Sequence, residues 1–277
     1  MKMTRIAPRL PTATLGLLLF SATAVAHADE PACRGLPDHG VLKRALSAAV
    51  SAEASGLRNH MWATIVGRDG TVCAVAFSGN AIDAQWLGSR VISGQKANAA
   101  NAFSLDASSA SGGSGQPAGL ALSTANLYSA VQPGGSLYGL QHSNPVDTGA
   151  AYKGRSQSFG SSNDPMVGER IGGVNVFGGG LALYAPGGRL VGGVGVSGDT
   201  SCADHNIAWR VRHNLALDHL ASVPGPASLF AGDASHPDNI IFDITANPNG
   251  GTGASASGFG HPTCFNAHGS GTLPAVR

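Results

Sequence analysis

Residues 174–198 read Val174-Asn175-Val176-Phe177-Gly178-Gly179-Gly180-Leu181-Ala182-Leu183-Tyr184-Ala185-Pro186-Gly187-Gly188-Arg189-Leu190-Val191-Gly192-Gly193-Val194-Gly195-Val196-Ser197-Gly198. Two short apolar runs, 181–185 and 189–197, flank Pro186-Gly187-Gly188, which is the signature of a β-hairpin. A helix pattern follows at once and runs to Asp218, with Ser201 placed as N-cap and Asp204 three residues on as its capping-box partner. Gly193, Gly195 and Gly198 also spell G-x-G-x-x-G, the pattern that cradles a dinucleotide pyrophosphate when it joins a strand to a helix in a parallel βαβ unit. Here the preceding strand closes an antiparallel hairpin and no second parallel strand follows. The acidic residue at the expected spacing, Asp218, falls inside the helix pattern. The glycines are therefore expected to admit a close-packed helix or backbone, not a nucleotide.

The rest of the 277-residue chain supports one domain with appendages. Lys2, Arg5 and Arg9 precede an apolar run from 13 to 26 and the Ala26-His27-Ala28 site, the three parts of a secretory signal peptide. Residues 1–28 are read as that leader, 29–221 as the domain and 222–277 as an irregular Gly/Pro-rich tail. The expected location is the periplasm or outside the cell, with no membrane span after cleavage. Loss of the leader leaves a net charge of about −2, which offers no electrostatic case for nucleic acid. Forty glycines, roughly twice the usual share, point to turn-rich structure. Four cysteines, Cys33, Cys73, Cys202 and Cys264, allow three pairings in an oxidising compartment. Cys33–Cys73 and Cys202–Cys264 are expected. The alternative, structural zinc, lacks a C-x-x-C pair.

In chain order, Asp38 caps a helix to about residue 55, with Val41, Leu42, Ala45, Leu46, Ala49 and Val50 as its apolar stripe. Residues 61–67 and 71–77 form a hairpin across Arg68-Asp69-Gly70. A second helix covers 89–103, its many alanines suited to close packing on a sheet. Residues 120–131 suggest a short helix, 136–168 a long functional or mobile loop, and 239–244 an added edge strand. Residues 250–260 are low in complexity and read as flexible. Hairpins separated by helices argue for an α+β layered architecture.

Three motifs carry a family resemblance. Asp69-Gly70, Lys96-Ala97-Asn98-Ala99-Ala100 and Gly192-Gly193-Val194-Gly195-Val196-Ser197-Gly198 occur in the order and spacing of the GlcG/HbpS family, also called the haem-degrading domain family, and the chain resembles that family from about 38 to 220. The proline of a G-G-x-P segment is missing from Gly179-Gly180-Leu181-Ala182, and the 105–168 loop and the tail are longer than in short members. The resemblance implies a profilin-like antiparallel sheet with helices packed on it and assembly into homo-oligomers. It also implies haem or tetrapyrrole binding, with haem degradation or partnership with a sensor protein in some members.

Haem iron requires a neutral imidazole and an apolar slot. Nine histidines lie beyond the leader: His39, His60, His142, His205, His213, His219, His236, His261 and His268. On the helix projected to Asp218, His205 and His219 fall at the border of the apolar face formed by Ile207, Ala208, Val211 and Leu215, while His213 falls on the far side. His142 sits in the long loop. His142 and His205 are the candidate iron ligands, and His219 a further cofactor contact. Lys96, Lys153, Arg155, Arg210 and Arg212 are candidate cationic partners for haem propionates, although Arg210 and Arg212 read equally well as a solvated helix face. Ser197 fails G-x-S-x-G because the next glycine comes one residue early, and H-E-x-x-H and calcium-loop patterns are absent. The alternative to a haem-binding protein is a non-enzymatic oligomeric interaction or sensor-accessory module.

Overall fold

The computed structural model describes residues 31–109, 118–267 and 272–277. The expected signal peptide, and His268, lie outside the described residues. Four strands, β1 (Trp62–Gly67), β2 (Val72–Phe77), β3 (Gly180–Ala185) and β4 (Arg189–Ser197), form one antiparallel sheet in the order β2-β1-β4-β3. Both expected hairpins are present, and the second closes the sheet onto the first by pairing β4 with β1 from Trp62–Ser197 to Gly67–Gly192.

Strand alternation sends two sets of side chains to opposite faces. Ala63, Ile65, Ala74, Ala76, Leu181, Leu183, Val194 and Val196 point to a face covered by α1 (His39–Ala52) and α4 (Ser201–Asn214), where Leu42, Leu46, Ile207 and Trp209 complete the core. The opposite face receives α2 (Ser89–Phe103), with Trp62, Val66, Val75 and Phe77 packing against Val91 and Ala97. A single-turn helix, α3 (Thr148–Ala151), lies in the long loop that follows. On that face β4 presents glycines. A methyl on Gly195 would collide with the Ser93 carbonyl oxygen and sit 2.5 Å from the Ala97 amide nitrogen, and one on Gly193 would lie 3.1 Å from Asn101. The G-x-G-x-x-G glycines thus let α2 lie directly on the strand, and no phosphate cradle is formed.

Several local expectations shift. Asp38 caps α1 by accepting from the Val41 amide at 2.8 Å. The cap of α4 is Thr200, one residue before the expected Ser201, and its hydroxyl accepts from the Ala203 amide. Asp204 instead reaches back to accept the Asp199 amide at 2.8 Å, and Ser201 turns to other partners. The helix stops at Asn214, because Ala216 adopts φ +52°, and the chain returns beside β3 through a one-residue parallel bridge, Tyr184–Asp218. The expected short helix at 120–131 is two single 3₁₀ turns, Ala125–Leu127 and Ser129–Val131. No edge strand is added at 239–244. Residues Ile244–Thr245 and Ala254–Ser255 pair as a separate two-stranded ribbon, β5 and β6, so part of the 250–260 segment is structured.

The tail carries a short helix, α5 (Pro226–Phe230), and the β5–β6 ribbon, and is attached to the outer side of α4. Asp238 forms two hydrogen bonds with Arg212 (2.6 and 2.8 Å), the Trp209 indole donates to the Pro274 carbonyl at 2.9 Å, and Arg277 pairs with Asp218. Both disulfides are those expected, Cys33–Cys73 and Cys202–Cys264, and the second ties the tail to the first turn of α4. Among the described residues no helix is long and apolar enough to cross a membrane.

Candidate functional site

Gly178, Gly179 and Gly180 bring β3, α2 and α4 to one crossing. A methyl on Gly178 would lie 2.9 Å from the His205 Cβ, and one on Gly179, where φ is +112°, 3.0 Å from both Lys96 Nζ and the Asp204 Cβ. Lys96 and Asp204 are fully buried there and joined at 2.6 Å, and the ammonium also donates to the Val196 carbonyl at 3.0 Å and lies over the Phe177 ring. Burial pushes both groups toward their neutral forms, against the attraction between them: the Lys96 pKa is lowered and the Asp204 pKa raised to about 6. Lys96 is therefore a core ion-pair partner, with no free donor face toward a propionate.

Ser201, released from capping, accepts the Gly178 amide at 2.7 Å and lies 2.7 Å from His261 Nε2. The other ring nitrogen of His261 is 2.7 Å from the Pro262 carbonyl. Because a carbonyl only accepts, Nδ1 carries the proton and Nε2 accepts from the Ser201 hydroxyl. Burial is the main cause of a lowered His261 pKa, which keeps the imidazole neutral. His261 sits in the wall of a cleft of about 940 Å³ between the 3₁₀ turns and the β5–β6 ribbon. Tyr128, Pro133, Phe242 and Ile244 line it, and the Tyr128 ring lies 5.2 Å from that of His261.

The candidate residues read from the sequence do not converge on this cleft. His205 is wholly buried, and neither ring nitrogen has a hydrogen-bond partner. Burial pushes its pKa down to about 3. It is a core residue where a border position was expected, because the tail covers the outer face of α4. His142 is exposed on the long loop. His219 lies beyond the end of α4, its amide donating to the Tyr184 carbonyl at the sheet edge. Arg155 is exposed, and Lys153 pairs with Glu169. Arg210 faces Glu53 at 3.5 Å, and Arg212, read as either a propionate partner or a solvated face, is fully buried against Asp238 and the Trp209 ring. Only Lys96 and His205 among these candidates border the crossing beside the cleft. His261 was counted in the sequence and not singled out. The signal available was His261-Pro262-Thr263-Cys264, an H-x-x-C spacing that a search for C-x-x-C passes over.

A family model described as "Haem degrading protein HbpS-like" matches residues 41–212. The chain belongs to the HbpS-like family. Two solved structures are similar to it at 23% identity. The crystal structure of a PduOC:heme complex has a TM-score of 0.40 and covers 63% of this chain and 89% of its own. The Klebsiella pneumoniae protein ORFY has a TM-score of 0.39, with 65% and 90% covered. No curated protein matches the chain. The family match ends inside α4, so the tail that supplies His261, Asp238 and Cys264 lies outside the matched segment of this HbpS-like chain.

Proposed function

We propose that this HbpS-like chain is an exported haem- or tetrapyrrole-binding protein whose ligand enters the cleft between Tyr128 and the β5–β6 ribbon. The observation that carries this reading is His261, a neutral imidazole in the wall of a cleft whose volume lies within the range of small-molecule sites. Its Nδ1–H is held by a backbone carbonyl, the arrangement that orients a metal-bound histidine and raises its basicity. The residues fit the macrocycle by volume and by the apolar side chains of Phe242, Ile244 and Tyr128. Among the described residues the cleft wall contains no lysine or arginine, so the propionates would face solvent at its mouth. When bound, haem would supply a Lewis-acidic iron; His261 is the residue that would hold it, through Nε2, with the Ser201 hydroxyl giving up its bond to that nitrogen. The reading is of binding or sequestration, and haem degradation would further require an electron donor.

Haemin titration of the oxidised protein should give a Soret shift that saturates at one equivalent and is lost in His261→Ala. No shift at micromolar haemin would sink the proposal. A second ligand is favoured by the two unpartnered nitrogens of His205, which haem could reach only if the tail lifted from α4. A shift that survives His261→Ala and disappears in His205→Ala would assign the iron there, and loss in His142→Ala alone would place it on the long loop.

A further inference from the structure

The Cys202–Cys264 disulfide has a histidine beside it. Potential ligand atoms of Cys202, His261 and Cys264 all lie within 4.8 Å of one another, and Cys202 and His261 are 2% and 3% exposed. We propose that reduction of this disulfide creates a site for a zinc-class divalent cation, held by two thiolates and one imidazole and open to the cleft at a fourth position.

Each ligand suits that chemistry. Cys202 is the second residue of α4, where the positive end of the helix dipole favours a thiolate. Its own backbone amide lies 3.1 Å from Cys264 Sγ, giving that sulfur a donor in either state. His261 and Cys264 are separated by two residues, close enough along the chain to chelate one ion together, as the paired ligands of zinc sites do. His261, Pro262 and Thr263 line the cleft, which supplies a route for the ion and for a water on the fourth position. The Cys33–Cys73 disulfide belongs to no such group among the described residues.

The conversion needs one co-reactant, a dithiol, besides the dication. A dithiol reductant delivers two electrons and two protons to the sulfur–sulfur bond, which breaks to give two thiols while the reductant closes to its own disulfide. The incoming dication then displaces one proton from each thiol into solvent, and two sulfur–metal bonds and one nitrogen–metal bond form. The tail stays clamped to α4 in both states, covalently in one and through the ion in the other. This goes beyond the haem reading but shares His261 with it. The two are tested in different redox states, cobalt on reduced protein and haemin on oxidised protein, so failure of one leaves the other standing.

The test uses the mature chain carrying Cys33→Ser and Cys73→Ser, reduced with a phosphine that is removed by gel filtration under argon, and titrated with cobalt(II). The expected result is a thiolate-to-cobalt charge-transfer band with the visible bands of a tetrahedral ion, saturating at one ion per chain and bleached by zinc. The bands should be absent before reduction, and adding His261→Ala should weaken cobalt affinity by at least tenfold. Reduced protein that keeps its helical circular dichroism and develops no such bands overturns the proposal, as do bands of equal affinity in the His261→Ala chain. If reduction unfolds the chain, recovery of the oxidised circular dichroism on adding zinc supports the site, and failure to recover it counts against it.

Discussion

His205 and Asp204 are neighbours on α4 whose burial acts in opposite directions with pH. His205 is held far below its ordinary 6.5, at about 3, so its contribution is fully present above pH 6.5 and is lost as pH falls from 6.5 toward 3. Asp204 is raised from 3.8 to about 6, so its contribution is present below 3.8 and is lost as pH rises through 6. The two oppose each other in the intact protein, and each is exposed by removing the other. The stability advantage of the parent over His205→Gln should shrink between pH 7 and pH 4, by on the order of 2–3 kcal/mol. That over Asp204→Asn should grow over the same range. Urea midpoints at the two pH values check both signs. Arg212 gives a sharper residue-scale prediction. With Asp238→Asn the guanidinium stays buried and uncompensated, and unfolding free energy should drop by roughly 3–5 kcal/mol, as seen when one partner of a buried pair is removed.

At the scale of the element, the decisive contact is α2 lying on the glycines of β4. Gly195→Ala would place a methyl against the Ser93 carbonyl, where the neighbour is backbone and cannot turn aside. A loss of roughly 1–3 kcal/mol or more is expected from overpacking. Gly88→Ala is the control. Gly88 already has φ −66°, and the nearest atom to an added methyl is 3.8 Å away, so its melting temperature should stay within a degree or two of the parent. Differential scanning fluorimetry of the two variants separates close packing from a general effect of replacing glycine. The cap of α4 shows how finely such contacts are apportioned. Thr200 and Ser201 are both good cap residues, and the Gly178 amide and the His261 ring engage Ser201, which leaves Thr200 to cap.

For the molecule as a whole, the tail is part of the folded body. Cys202–Cys264 closes 62 residues of chain, and its removal should destabilise by about 4 kcal/mol if the effect is mainly loop entropy. Guanidinium unfolding of Cys202→Ala/Cys264→Ala should show that loss, and faster proteolysis between residues 222 and 264 should accompany it. The layered α+β fold, both hairpins, α1, α2 and the disulfide pairing could all be read in the chain, because each rests on local periodicity, turn chemistry or the small number of cysteine pairings. The helix cap and the end of α4 were misplaced by one and four residues, since several adjacent residues satisfy the same local rule. The family motifs likewise survive as local strings. What the chain alone could not supply was the status of its histidines and arginines. A periodic pattern places His205 at a helix border and allows Arg212 a solvated face, and only packing reveals that residues 222–277 return over α4, where both are buried. The same return carries His261 to the cleft wall, beside Cys202, which lies far back along the sequence. Local pattern fixes which way a side chain leaves its own element, while its solvent exposure and partners depend on what a distant segment brings against it.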